Sequence, residues 1–196
     1  MKVLGIVCSP RLQGNTEILV QVSLAKAQEE GAEIELVTLA GKTISPCDAC
    51  YSCHKTGKCH IKDDMPDIYT KLLEADGIIF GTPVYYWSVS AQAKALIDRT
   101  FVFSVKRELR NKVVGVVVTL DRTGSTSALA VFNGFFTLQK MIMVGRAVGF
   151  GSQEKGVVKK DERGMADAEA LGETIVKYIQ SHQIPFSYDP YSGRRG

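Results

Sequence analysis

Three stretches of this chain are apolar almost from end to end and rich in β-branched residues: "KVLGIV" (2–7), "GIIFGT" (77–82) and "KVVGVVVTL" (112–120). A strand wetted on one face alternates polar and apolar residues, whereas a strand covered on both faces, as in a parallel sheet, has no need to alternate. "EIELVTL" (33–39) does alternate and reads as a further strand, and "MIMVGRAV" (141–148) contains a fifth. Helical spacing fills the intervals. It predicts helices over 16–30 (Ile18, Leu19, Val22 and Ala25 on one face, Gly31 as the stop) and 66–75, with Pro66 in the first turn. It also predicts helices over 89–103 (Val89, Ala93, Leu96, Ile97), 126–141 and 164–181 (Ala168, Leu171, Ile175, Ile179). Strands separated by helices imply an α/β fold, a doubly wound five-stranded parallel sheet with helices on both faces. One domain is expected over 1–182, followed by a tail, 183–196, that reads as an extended arm or a disordered end.

A chain of 196 residues can cover one core of this kind. With 45% hydrophobic and 23% charged residues it is ordinary globular material. A net charge of +3, with no basic stripe interleaved with aromatics, gives no reason to expect nucleic acid as a partner. The start, "MKVLGIVCSPR", is cut by Pro10 and Arg11 too early for a secretion signal, and no apolar run nears the roughly 20 residues that span a membrane. A cytoplasmic location is expected, where thiols stay reduced.

Residues 40–65 have no clear periodicity, and structureless loops of that length are uncommon in compact domains unless they work. This one carries "SPCDACYSCHKTGKC" (45–59), with Cys47, Cys50, Cys53 and Cys59. Disulfides are disfavoured by compartment. Four cysteines suffice for zinc, but structural zinc usually draws on two well-separated pairs. A compact C-x2-C-x2-C lets one short loop wrap an iron–sulfur cluster. Thiols with no bound metal are the remaining reading. His54 and His60 flank the group as surface residues or neighbours that tune it, His182 reads as a helix-end cation, and Asp63 and Asp64 read as helix-start acids.

"CSPRLQGNT" (8–16) joins the first strand to the first helix. Free N–H groups at a helix start favour an anion, with Ser9, Asn15 and Thr16 as added donors, Arg11 as added charge, and Pro10 and Gly14 shaping the turn. G-x-G-x-x-G and G-x-x-x-x-G-K-[ST] are both absent, and a Cys-based phosphatase would need Arg where Gly14 stands. The plain alternative is a βα connection capped by Asn15. Gly149 and Gly151 form a G-x-G that reads as a turn.

In a flavodoxin-type order, 2-1-3-4-5, the first and third strands meet at the switch point where ligands bind. There, "GTPVYYWSVSAQAKALIDR" (81–99) supplies Pro83, Val84, Tyr85, Tyr86 and Trp87, closed by Ser88, as a surface for a flat ring. A subunit interface is the competing use. Lys94, Asp98 and Arg99 read as structural.

"SPRLQGNT" followed by "TPVYYWSVSAQAKALIDR" resembles the flavodoxin-like NAD(P)H-dependent FMN reductases, and with "PCDACYSCHKTGKCHIKDDM" between them the chain resembles their iron–sulfur flavoprotein branch. The resemblance implies FMN, with its phosphate at Ser9, Arg11, Asn15 and Thr16 and its ring against Pro83, Val84, Tyr85 and Trp87. A third contact loop would be "LDRTGSTS", with Gly124 and Ser125, where the sequence is least family-like. Cys8 stands where the family usually has glycine, and a buried small hydrophobe is its expected role. A [4Fe–4S] cluster on Cys47, Cys50, Cys53 and Cys59 is also implied, since no second cysteine set exists for Cys59 to serve. The expected activity is electron transfer between a ferredoxin-like one-electron carrier and FMN, with a small-molecule acceptor, in a homodimer or homotetramer. Two other readings stay open: an NAD(P)H-dependent FMN or quinone reductase without a cluster, and a non-enzymatic carrier or zinc-stabilised module.

Overall fold

The computed structural model describes residues 1–181. The expectations for His182 and for the tail at 183–196 lie outside the described residues. Five parallel strands form one sheet, as the alternation of patterns predicted, in the flavodoxin-type order β2-β1-β3-β4-β5. They are β1 (Lys2–Val7), β2 (Glu33–Thr38), β3 (Gly77–Pro83), β4 (Val113–Leu120) and β5 (Ile142–Phe150). The helices are α1 (Asn15–Glu29), α2 (Ser52–Thr56), α3 (Met65–Glu74), α4 (Ala91–Arg99), α5 (Ser125–Gln139) and α6 (Glu162–Gln180), with short 3₁₀ turns at Thr100–Phe103 and Val157–Lys160.

Sequence pattern follows position in the sheet. The apolar runs β1, β3 and β4 are its three central strands and are buried nearly throughout, while β2 and β5, at the edges, keep exposed residues. Successive side chains point to opposite faces. Leu4, Ile6, Ile78, Phe80, Val114 and Val116 therefore pack under α3, α4 and α5. Val3, Val7, Ile79, Val113 and Val117 pack under α1 and α6.

The structure corrects several details. The α1 face in the core is Leu19, Val20, Ser23, Leu24 and Ala27, and Ala25 is exposed. α6 decides this: Ser23 Oγ donates to Ala168 O at 2.7 Å, and a Cβ on Gly172 would lie 2.1 Å from Ser23 O. The two helices therefore approach backbone to backbone, a contact that α1's own spacing does not reveal. The helix expected over 89–103 begins at Ala91 and tightens into the 3₁₀ turn after Arg99, and the loop expected to lack structure contains α2. Gly149 lies within β5 instead of in a turn, and Gly151 touches the side chain of Asn15.

Candidate cofactor sites on the carboxyl rim

The N-cap of α1 is Gly14, in an extended conformation and with no side-chain cap, so the Asn15-capped connection is not what forms. The first-turn N–H groups thus receive no side-chain acceptor from the cap. Asn15 is turned to the segment after β5: its Nδ2 donates to Ser152 O and Glu154 O at 3.2 and 2.9 Å, and its Oδ1 accepts from Gly156 N at 2.8 Å. Arg11 reaches the same segment, donating from Nη2 to Gln153 O at 2.6 Å. Ser9 is buried and its Oγ accepts from Arg11 N, which folds the loop back on itself. The buried hydroxyls of Thr16 and Thr119 lie 2.6 Å apart and join α1 to the end of β4.

These contacts enclose a cleft of about 220 Å³ where four strand ends converge. Ser9, Arg11, Gly14, Asn15 and Thr16 form one wall, and Pro83, Val84 and Tyr85 another. Thr119, Leu120 and Asp121 after β4, and Gly151, Ser152 and Gln153 after β5, complete it. Leu120 and Asp121 open the loop that the resemblance named as the third contact, although Gly124 and Ser125 were singled out there; Thr119, Gly151, Ser152 and Gln153 were not read as site residues. Those four form no motif, and the rule that ligands sit beyond the carboxyl ends of strands is what points to them.

Residues 85–88 form a tight turn, with Tyr85 N donating to Ser88 O at 2.9 Å and Ser88 N to Tyr85 O at 3.0 Å. Tyr86 and Trp87 both have positive φ, 46° and 61°, the geometry of a type I′ turn that usually takes Asn and Gly. Bulky side chains there cost on the order of 1 kcal/mol each. The turn holds because Val84 N donates to Thr119 O at 2.8 Å and because Gly124 packs under it. A Cβ on Gly124 (φ 105°) would lie 2.8 Å from Val84 Cγ1 and 3.2 Å from Trp87 Cα. Trp87 is left 62% exposed and Tyr86 fully so. With Arg122 and Thr123 they line an open shelf that shares Val84, Leu120 and Asp121 with the cleft. Gly124 thus supports the turn from beneath, and Ser125 is the first residue of α5, outside both linings.

The five cysteines are all free thiols. Cys8 is buried, and burial alone pushes its thiol well up, so it stays protonated as a small hydrophobe. Cys47, Cys50, Cys53 and Cys59 line one small hollow with Asp48, His60 and Arg99. Left-handed backbone at Ala49, Tyr51 and Gly57 winds the chain around it. Burial pushes the Cys53 thiol up, and the neighbouring Cys59 and Cys47 add to this. Sulfurs held 2.3 Å from one zinc ion would lie about 3.8 Å apart. Among the described residues, the group whose ligand atoms lie within 4.8 Å of one another is Asp48, Cys50 and His60, and no three of the thiols do so. The four thiols thus share one hollow without three of them meeting at the spacing of a single-ion site.

A buried ion pair closes the loop. Arg99 and Asp63 have side chains 1% exposed, with contacts at 2.5 and 3.1 Å. Arg99 also donates to Ser45 O at 2.9 Å, and Asp63 accepts from Ser45 N at 2.9 Å and Met65 N at 3.1 Å. Burial works against charge on Asp63, but the Arg99 and backbone hydrogen bonds outweigh it and hold the carboxyl below its usual range. Asp64 accepts from Thr43 N. Both acids stand at a helix start, as expected, yet they serve chiefly to tie together the two ends of the loop. His54 stacks on Phe101 at 4.5 Å and approaches Ser104, which docks α2 on the 3₁₀ turn. His60 pairs with Asp48 at 2.7 Å.

α4 connects the two regions. Ser90 caps it, accepting from Ala93 N at 3.1 Å, and donates from Oγ to Cys8 O at 2.5 Å beside the first loop. Its last residue is Arg99, about 14 Å along the axis.

The sheet order defines a flavodoxin-like protein, and the rim cleft lies at its switch point. The solved structure of RosB with its bound intermediate, 8-demethyl-8-formylriboflavin-5'-phosphate, has a TM-score of 0.76 at 16% identity, covering 94% of this chain and 82% of that one. The family profile described as NADPH-dependent FMN reductase matches residues 1–155. An iron–sulfur flavoprotein of Methanocaldococcus jannaschii is 40% identical over 190 residues, covering 92% of this chain and 98% of the relative. An iron–sulfur flavoprotein of Archaeoglobus fulgidus is 32% identical, covering 92% and 81%. The chain belongs to the NADPH-dependent FMN reductase family, in its iron–sulfur flavoprotein branch, and is a flavin-dependent oxidoreductase.

Proposed function

We propose that the chain binds FMN along the rim cleft and a [4Fe–4S] cluster on Cys47, Cys50, Cys53 and Cys59, and moves electrons between a one-electron carrier of ferredoxin type and FMN. The observation that carries this reading is the gathering of four free thiols around one hollow, clamped to the far end of the helix that leaves the flavin cradle. Arg11 and the uncapped first turn of α1 hold the phosphate, with Ser9 shaping the loop around it. Pro83, Val84 and Tyr85, with the 86–88 turn and the Gly124 support, present the ring surface. The four thiolates hold the cluster, Arg99 and Asp63 fix the loop, and α4 sets its distance from the cradle. A flavin takes two electrons and releases them singly while a cluster carries one, so the pair couples two-electron to one-electron chemistry. No acid–base pair is required of the protein.

The exposed Tyr86 and Trp87 suit a homodimer or homotetramer in which this turn is covered. Among the described residues no helix is long and apolar enough to cross a membrane. A cytoplasmic setting suits the exposed Cys47 and Cys50.

Anaerobic purification with assays for FMN, iron, sulfide and zinc tests the reading. One FMN with about four iron and four sulfide per chain is expected. Flavin bands without iron would sink the cluster. The open shelf at Trp87 favours a second reading, an NAD(P)H-dependent reductase with nicotinamide stacked on the flavin. Prompt bleaching by NADPH with no carrier present would promote it.

A further inference from the structure

We infer that, before any cluster is built, Asp48, Cys50 and His60 form a binding site for a single zinc-type divalent ion, and that zinc there and a cluster exclude each other. One ligand atom from each of the three residues lies within 4.8 Å of the others, and all three side chains are exposed. The three residues are already held as neighbours. His60 Nε2 and Asp48 Oδ2 are hydrogen-bonded at 2.7 Å, a bond an ion would replace with two ligand bonds, and Asp48 Oδ1 accepts from Cys50 N at 3.2 Å.

A thiolate, an imidazole and a carboxylate make a borderline donor set of the kind zinc and cobalt take, and three protein ligands leave a fourth position for water. Exposure lets an ion reach the site with the Arg99–Asp63 clamp closed. The half-buried Cys53 and Cys59 belong to no such grouping. Zinc on Cys50 removes one of the four thiols proposed for the cluster and leaves Cys47, Cys53 and Cys59 one ligand short. His60 and Asp48, outside the four-cysteine set, thereby give the loop a second metal state. The competition rests on the cluster reading above, whereas the zinc site does not.

Cobalt titrated into the full-length chain, prepared without iron under reducing conditions, tests the site. One ion per chain is expected, with a sulfur-to-metal absorption band of single-thiolate intensity that added zinc abolishes. His60→Ala and Asp48→Ala should each weaken binding at least tenfold and Cys50→Ser should abolish it, with Cys53→Ser and Cys59→Ser close to the parent. FMN binding by each variant reports that the chain is folded. Losses from Cys53→Ser and Cys59→Ser as large as that from Cys50→Ser would indicate a four-thiolate ion site and overturn the inference, as would undiminished binding in His60→Ala. In a second arm, preloaded zinc should slow iron and sulfide uptake in the parent and much less in His60→Ala. Uptake at the same rate with and without zinc would overturn the exclusion. If cobalt behaves as expected but the metal-free chain takes up no iron, the cluster reading fails and the zinc site stands.

Discussion

The rim cleft, proposed above as the flavin cradle, and the cysteine loop share one rim of one sheet but are held in place by different means. The cleft is made from the ends of β1, β3, β4 and β5, so its position follows from the sheet, and apart from Arg11 to Gln153 O its internal bonds are neutral: Thr16 to Thr119, Val84 N to Thr119 O, Asn15 to the segment after β5. The cysteine loop has one five-residue helix and is held chiefly by a charged clamp, Asp63 and Arg99, reaching both ends of the loop at Ser45 and Met65. A site built from strand ends is formed whenever the sheet is formed. A loop held by one ion pair can open alone, and a bound centre would stabilise it strongly.

Breaking the clamp should give the largest separation between the two. Arg99→Met leaves Asp63 buried and unpaired, at a cost of about 3–5 kcal/mol. Urea denaturation should show that loss, and limited proteolysis should cut within 45–63 while FMN stays bound. Loss of FMN in step with loop cleavage would mean that the regions are one cooperative unit.

Acid should act next, and in the same direction. Because folding lowers the Asp63 carboxyl, its contribution is fully present above the ordinary aspartate range, about pH 4. It is lost as pH falls through the lower folded value. Hydrogen exchange at acid pH should therefore rise first across 43–65, ahead of the neutral bonds of the cradle. Uniform loss of protection would remove the distinction.

Gly124→Val attacks the other side. It adds strain at φ 105° and a clash with Val84, so FMN should bind about tenfold more weakly, some 1.4 kcal/mol, by fluorescence titration. Iron content should not change. A matching fall in iron would show that the 85–88 turn also supports the loop.

Ser90→Ala should have the smallest effect and the widest reach. It removes the α4 cap and the donor to Cys8 O, costing about 1 kcal/mol and 2–4 °C in Tm. Because α4 connects the regions, both FMN affinity and loop protection should drop slightly. A change in only one would break the proposed link.

Much of this was legible in the chain. Unbroken apolar runs belong to strands covered on both faces, and they are the three central ones; "EIELVTL" alternates because it is an edge. The first two walls of the cleft were readable because a strand-to-helix loop carries its small and polar residues in one short segment. Thr119 and the wall at Gly151–Gln153 were not, since each is ordinary in isolation and becomes part of a site only when the sheet brings four strand ends together; Leu120 and Asp121 were reached only through the resemblance, as the start of a loop whose named residues, Gly124 and Ser125, line neither the cleft nor the shelf. The buried face of α1 was read only in part for a related reason: Leu19 is buried and Ile18 and Val22 pack against the core, but α6 and Gly172, more than 140 residues away, draw Ser23 in, and Ala25 is left outside.

By itself the sequence determined the alternation of strand and helix, the central and edge strands, and the presence of four thiols within one short loop, because periodicity and spacing are local quantities. Only the tertiary structure decided which atoms meet. It turned Asn15 from a helix cap into a latch on the segment after β5, made the expected helix-start acid Asp63 half of a buried clamp, and set His60 and Asp48 beside Cys50. The pairs His60–Asp48, Arg99–Asp63 and Asn15–Gly156 lie 12, 36 and 141 residues apart, and contacts between distant residues form only when the burial of the whole sheet offsets the entropy lost in bringing them together.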